Sequence, residues 1–359
     1  MIDRDDLKAA VGAGLINERQ AASLASLADS RRGARENLAA GDEPFELFKG
    51  FNEIFIVVGL LILAMGWGGV AGFSFAAQIS NPQQYALTWG LAGGAILWGL
   101  SEYFVRRRRM VAPAIFLSIL FAANAALSMT AYFAQPFMVA REDYSSLPWP
   151  FLYGTVLLFI YWWRFRVPFA MAMIAVGLFI VALLFAATTQ GSPESPTDLF
   201  MLSAAGPFAW ITLVLGLAVF AVAMTFDMSD PHRVTRRSAN GFWLHVVAAP
   251  ALVNTIALSL LAQESQTSNL VLLLVLALFA LVAIVIDRRS FLIAAIGYIV
   301  TLAATVFEGD GAAMTVLILG IVLLLLGAIW ERIRARLLRL MPGFVPLHKL
   351  PPSTTVREI

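Results

Sequence analysis

Two patterns of apolar and polar positions follow one another along the chain. Through residue 44, apolar residues recur at helical spacing among charges; from Phe45 onward, long apolar runs are separated by short polar connections. In the first stretch Leu7, Ala10 and Val11 share one face of a helix that Asp3 is placed to cap and that Gly12 and Gly14 end. Asn17 followed by Gln20 has capping-box spacing and opens a second helix, with Ala21, Leu24, Leu27 and Ala28 on one side and Arg31-Arg32-Gly33 closing the hairpin. A head with so few large apolar residues, near the ~40-residue limit for unaided folding, is expected to dock on the membrane domain, a second copy or a partner. Pro44 suits the first turn of a further helix, which would place Phe45, Phe48 and Phe51 at an interface with Gly50 as an elbow.

The apolar runs predict an all-α polytopic membrane protein of about ten transmembrane helices, each near the ~20 residues that cross ~30 Å of hydrocarbon. They lie near 52–73, 84–105, 111–134, 147–163, 167–188, 204–226, 241–262, 269–286, 290–307 and 312–330. The organisation expected is a cytoplasmic helical head and interfacial linker over 1–50, a transmembrane domain over 51–330 and a cytoplasmic tail over 331–359. The fourth run is short, and as a re-entrant hairpin it would reverse every later crossing. Charge favours ten crossings with both termini cytoplasmic: in that arrangement every Lys and Arg of the 25 except Arg141 falls on one side. Trp89, Trp149, Trp162, Trp163, Trp243 and Trp330 fall near the ends of the runs, at headgroup level.

Composition agrees. Of 359 residues 60% are hydrophobic and 13% charged, with mean hydropathy +0.79, whereas soluble domains carry roughly 25% charged residues. The net charge of +2 is spread over loops, which is a topology signal and not a nucleic-acid-binding face. No cysteine is present, so disulfides, thiol catalysis and cysteine-held metal are excluded. The acidic start (Asp3, Asp5, Asp6) lacks the features of a cleavable signal, so the first run is expected to insert itself. After the last run, Ile333, Leu337, Leu340 and Met341 share one helical face while Arg332, Arg336 and Arg339 share another, a pattern suited to the anionic inner leaflet. Pro342 stops that helix, and the tail with Pro346, Pro351 and Pro352 is expected to be extended or disordered.

Candidate chemistry is sparse. Gly68-x-x-x-Gly72 and Gly90-x-x-x-Gly94 would let two helices pack as a tight hairpin, or else border a substrate groove. Glu53, Glu102, Arg106 and Arg109 form a candidate interfacial charge cluster, read either as carboxylates paired with arginine or as a proton-coupling site. Asp227 ends the sixth run, and His245, one turn into the seventh, is a pH-switch candidate or a hydrogen-bonded packing residue. Asn124 and Asn254 reach similar depths, the latter one turn after Pro250, and serve as interhelical glue or as a polar pocket. His-Glu-x-x-His, Gly-x-Ser-x-Gly and phosphate-loop motifs are absent, so no enzyme activity, metal or cofactor is expected.

The stretch Leu7 to Leu24, with its Gly14-Leu15-Ile16 and Gln20-Ala21, followed by a linker and many apolar runs, resembles bacterial polytopic membrane proteins of the domain-of-unknown-function type over residues 7–66. That resemblance implies a bacterial inner-membrane location and no particular activity. Two functions are expected to compete: a scaffold or regulatory protein whose head recruits a protein partner or a second copy, and a proton-coupled transporter of a small solute made of two inverted five-helix halves.

Overall fold

The computed structural model describes residues 4–31, 51–77, 81–135, 138, 140–141, 143–204, 206–263, 265–289, 317, 320–321, 324, 328–341 and 346–353. Every regular element among them is helical: α1 (Arg4–Gly12), α2 (Glu18–Arg31), α3 (Phe51–Ala77), α4 (Pro82–Ser101), α5 (Val111–Phe133), α6 (Pro148–Phe165), α7 (Pro168–Gln190), α8 (Phe208–Ser229), α9 (Arg236–Leu261), α10 (Gln266–Ile286) and α11 (Trp330–Leu340). Six of these, α3, α5, α7, α8, α9 and α10, are long and apolar enough to cross a membrane, so the protein is of the all-α, multi-pass membrane class. The expected run 290–307 and most of 312–330 lie outside the described residues, as do Asp3, Pro44, Phe45, Phe48 and Gly50.

Local signals set several helix starts. Pro82, Pro148 and Pro168 stand in the first turn of α4, α6 and α7, where the missing N–H costs nothing. The capping box opening α2 forms reciprocally: Gln20 N donates to Asn17 Oδ1 (2.8 Å) and Asn17 N to Gln20 Oε1 (3.0 Å). The short fourth run is one unbroken helix of 18 residues, about 27 Å long at 1.5 Å per residue. A re-entrant hairpin needs a break that α6 does not have. Arg166 ends it in the left-handed conformation (φ 52°), its N–H donating to Trp162 O at 2.7 Å, and α7 starts two residues later.

The described residues fall into two compact units. One spans Pro44–Glu194 with Gly206–Ile211; the other comprises Met1–Glu43, Ser195–Ala205 and Thr212–Ile359.

The first unit holds α3 to α7, with α5 as the element that α3, α4, α6 and α7 all touch. Leu117, Phe121, Leu158, Tyr161, Phe165 and Ala170 make its core. Phe121 stacks on Tyr161 with centroids 4.7 Å apart, and the Tyr161 hydroxyl meets Ser101 Oγ at 2.8 Å. Small residues set the helix spacings. A Cβ at Gly90 of α4 would collide with the Ser128 side chain of α5, and one at Gly154 of α6 would stand 3.4 Å from Ala126 Cα of α5. A Cβ at Gly94 would stand 3.5 Å from Asn124 Nδ2. The Gly90–Gly94 pair is thus a packing face, but it meets α5. A Cβ at Gly68 or Gly72 would meet nothing within 4 Å, so the expected close approach of that pair to a neighbouring helix is not formed among the described residues.

In the second unit α9 and α10 pack through Ala249, Leu252, Val253, Leu272, Leu276 and Ala283. Trp330, Arg334, Ala335 and Leu338 are the buried residues of α11, which packs against α10, while Arg332, Arg336 and Arg339 are exposed. Of the tail expected to be extended or disordered, residues 346–353 are among those described. Leu347–Lys349 forms a 3₁₀ turn, and Leu350, Pro351 and Ser353 are buried because Leu350 joins the α9–α10 core and Arg334 bonds the Pro351 carbonyl.

The glycine contacts predict unequal mutants. Gly90→Ala destabilises the protein by about 1–3 kcal/mol through overpacking, whereas Gly68→Ala leaves stability within about 0.5 kcal/mol. Unfolding in mixed detergent and dodecyl sulfate checks both, and equal loss for the two variants refutes the packing account.

Candidate functional site

The chemistry concentrates where α8, α9 and α10 end or begin in the second unit. Asp227 lies in the last turn of α8 and is buried. It reaches α9 because position 241 is glycine: a Cβ there would collide with Asp227 Oδ1. Past α10, Asp287 adopts the left-handed conformation (φ 56°) and turns the next residue, Arg288, back into the unit. Arg288 then grips Asp227 with both faces of its fork, Nε donating to Oδ2 (3.0 Å) and Nη2 to Oδ1 (2.5 Å). Its Nη2 also donates to Ser238 O at 2.9 Å, and the guanidinium sits 6.0 Å from the Phe242 ring centroid. His245, with no exposed surface, places Nε2 2.9 Å from Asp227 Oδ2, and Phe220 packs edge-on against its ring. Facing a carboxylate oxygen, which only accepts, His245 Nε2 is the donor of this contact.

A second set of ions abuts the first. Asp230, 1% exposed, accepts from Val234 N (3.1 Å), Thr235 N (2.8 Å) and Thr235 Oγ1 (2.7 Å), fixing the turn that leads into α9. Arg233 Nη1 donates to Asp287 Oδ2 (2.9 Å), and its Nη2 to the carbonyls of Asp287 (2.6 Å) and Ile286 (3.3 Å). Asp287 Oδ1 accepts from Trp330 Nε1 at 2.8 Å. Arg334 Nε donates to Ile284 O (3.1 Å) and Nη2 to Pro351 O (2.5 Å). Two arginines therefore cap the C-terminal carbonyls of α10, the negative end of its dipole. Asp227 is paired with Arg288 and Asp287 with Arg233, while buried Asp230 and Arg334 are bonded to the backbone around them. Burial pulls the Arg288 guanidinium down to about 9, which leaves it charged at neutral pH.

The head adjoins this lock. Glu18, at the start of α2, has its carboxyl pushed up from the ordinary value by burial and then by the Asp230 carboxylate, with Arg237 acting in the opposite direction. Ala21 and Ala22 on the following turn are buried.

Of the residues singled out from sequence, Asp227 and His245 come together. Asn124 and Asn254 belong to different compact units. Asn124 Nδ2 donates to Gly90 O at 2.9 Å, joining α5 to α4, and Asn254 is half-buried on α9. Glu53 is buried and, among the described residues, is bonded not to an arginine but to the N–H groups of Val111 (3.4 Å) and Ala112 (3.0 Å) at the start of α5. Glu102 bonds Arg106 Nη1 at 3.1 Å and also Arg164 Nη2 at 2.8 Å, while Arg109 is exposed. Arg233, Arg288 and Arg334 were read from sequence as topology markers only. One signal was present: residues 287–289 leave too short a connection between two apolar runs to be a solvated loop. Among the described residues no group of His, Asp and Glu is placed to hold a metal ion.

No family model, no curated protein and no solved structure matches the chain.

Two outcomes follow from the lock. Asp227→Asn removes the anion that balances Arg288 and should cost about 3–5 kcal/mol in stability, whereas Asp227→Leu combined with Arg288→Met recovers much of it. Thermal unfolding in detergent distinguishes them, and a mild single mutant would contradict the lock. For Glu18, a carboxyl whose pKa is raised in the docked head adds stability below its unfolded value and loses it as pH rises through the docked value. Docking of the head, read by limited proteolysis from about pH 4 to about pH 8, should weaken as pH rises, and Glu18→Gln should flatten that profile.

Proposed function

We propose that the chain is a non-enzymatic scaffold or regulatory protein of a bacterial inner membrane, with ten crossings, both termini cytoplasmic, and a head that recruits a partner. The observation that carries this reading is the position of Glu18 beside Asp230 and Arg237. Helix α2 belongs to the unit that holds the buried lock, yet Leu15, Leu24 and Leu27 of the head remain exposed, Leu15 at 78%. A partner that covers these leucines would press on Glu18 and, through Asp230, on the turn between α8 and α9. The ions of the lock are engaged with one another and with backbone carbonyls, as befits a structural clamp. Helix α11 adds a membrane contact, with Arg332, Arg336 and Arg339 exposed beside half-buried Ile333 and Leu337 and exposed Leu340, suited to the anionic inner leaflet.

One observation favours a second reading, a proton-coupled transporter built from two inverted five-helix halves. The first compact unit contains five whole helices, α3 to α7, together with the first residues of α8. In that reading Asp227 and His245 carry the proton.

Affinity capture from membranes with the full chain and with residues 1–45 removed tests the scaffold: the deletion should lose its specific partners. Proton-gradient-driven solute flux in liposomes that His245→Gln abolishes, with capture unchanged by the deletion, would overturn it in favour of transport.

A further inference from the structure

The end of the α3–α7 unit where α4 and α6 finish carries a surface whose composition matches an amphiphile. Helix α4 runs into a π-helical turn, Glu102–Arg107, and the chain reverses through Arg108 and Arg109 into α5. π-Helical turns inside α-helices occur frequently at functional sites. Glu102 bonds Arg106 and Arg164 at once, fixing two guanidiniums from different helices side by side, with 49% and 40% of their side chains exposed. Arg166 lies over the rings of Trp162 and Trp163, 4.8 and 4.9 Å from their centroids. Arg108 lies over Tyr103 at 5.5 Å, its Nε donating to the Tyr103 hydroxyl at 3.2 Å. Arg106 to Arg109, Arg164 and Arg166 are all exposed, and the Glu53 carboxylate nearby is spent on the start of α5. Among the described residues, Glu102 is the carboxylate bonded to these guanidiniums, and it holds Arg106 and Arg164. Arg109 and Arg166 also hold φ near 53° and 52°, a conformation that disfavours every side chain and that the fold needs only for the turn.

Beside these cations runs an apolar stripe. Val156, Phe159, Ile160 and Trp163 recur at helical spacing along α6 and are all exposed, Trp163 at 63%. A free phosphate would use the cations and not the stripe, and an acidic peptide in water would gain nothing from a face that stands in hydrocarbon. We propose that this surface binds an anionic phospholipid, with its phosphodiester on Arg106, Arg164 and Arg166 and its acyl chains along the Val156–Trp163 stripe. Guanidinium forks match phosphate oxygens in pairs, and the Glu102 and tryptophan contacts hold those forks in place before the lipid arrives. The assignment rests on α6 standing in the bilayer and is indifferent to which leaflet its end faces.

The full-length chain in phosphatidylcholine nanodiscs is titrated with phosphatidylglycerol brominated on its acyl chains, which enters both leaflets. The part of the tryptophan quenching that Trp163→Phe removes reports this face. Expected is half-quenching by brominated phosphatidylglycerol at a mole fraction well below that needed with brominated phosphatidylcholine. Arg164→Gln combined with Arg166→Gln should shift the phosphatidylglycerol curve about 30-fold, and Arg106→Gln alone about fivefold, with helical circular dichroism unchanged. Arg332→Gln, Arg336→Gln and Arg339→Gln together should leave the Trp163 signal in place. Equal curves for the two lipids, an unshifted curve in Arg106→Gln, or displacement by millimolar inorganic phosphate would each overturn the proposal. No quenching of Trp163 by either lipid would show instead that α6 does not face the bilayer.

Discussion

Helix ends in the second unit are held by a balance of buried charge. A carboxylate or guanidinium taken out of water costs several kcal/mol, repaid only when its counter-ion and hydrogen-bond partners are in place. Asp227 with Arg288 and Asp287 with Arg233 meet that condition, with backbone carbonyls and a tryptophan N–H completing the set. The paired ions come from different helix ends, Asp227 with Arg288 and Arg233 with Asp287, so satisfying one requires placing the other. The elements α8 to α11 are tied together this way because apolar contact alone discriminates poorly between helices already surrounded by lipid.

The first unit solves the same problem with size. Gly90, Gly154 and Gly177 let neighbouring side chains or backbone approach closely, and Asn124 supplies a single hydrogen bond from α5 to α4. Where α4 gives way to α5, Glu53 serves the N–H groups that open α5 and Arg106 to Arg109 remain exposed. The side chains of Arg233, Arg288 and Arg334 of the second unit are buried and bonded to carbonyls, whereas Arg106 to Arg109, Arg164 and Arg166 of the first are exposed.

Those contrasts mark the boundary of what could be read beforehand. The membrane class, the helix starts at Pro82, Pro148 and Pro168 and the capping box of α2 were legible, since each depends on the run of residues around it. Asp227 and His245 were visible as ionisable groups in apolar runs. Arg288 was not visible as their partner, because it lies 61 positions from Asp227, and its basic neighbours made it look like an orientation signal. Gly68 and Gly90 belong to the same motif in sequence yet differ in what surrounds them, since the motif states what a helix permits and the neighbour decides whether it is used.

The sequence by itself determined length, period and polarity: where apolar runs are long enough for a bilayer, which residues start helices, and where charge gathers. Only the tertiary structure decided which arginines are buried and which are displayed, and that Asp230 stands beside the head. Those outcomes depend on contacts between distant segments, where the cost of an unbalanced charge selects one arrangement out of many that the local pattern allows.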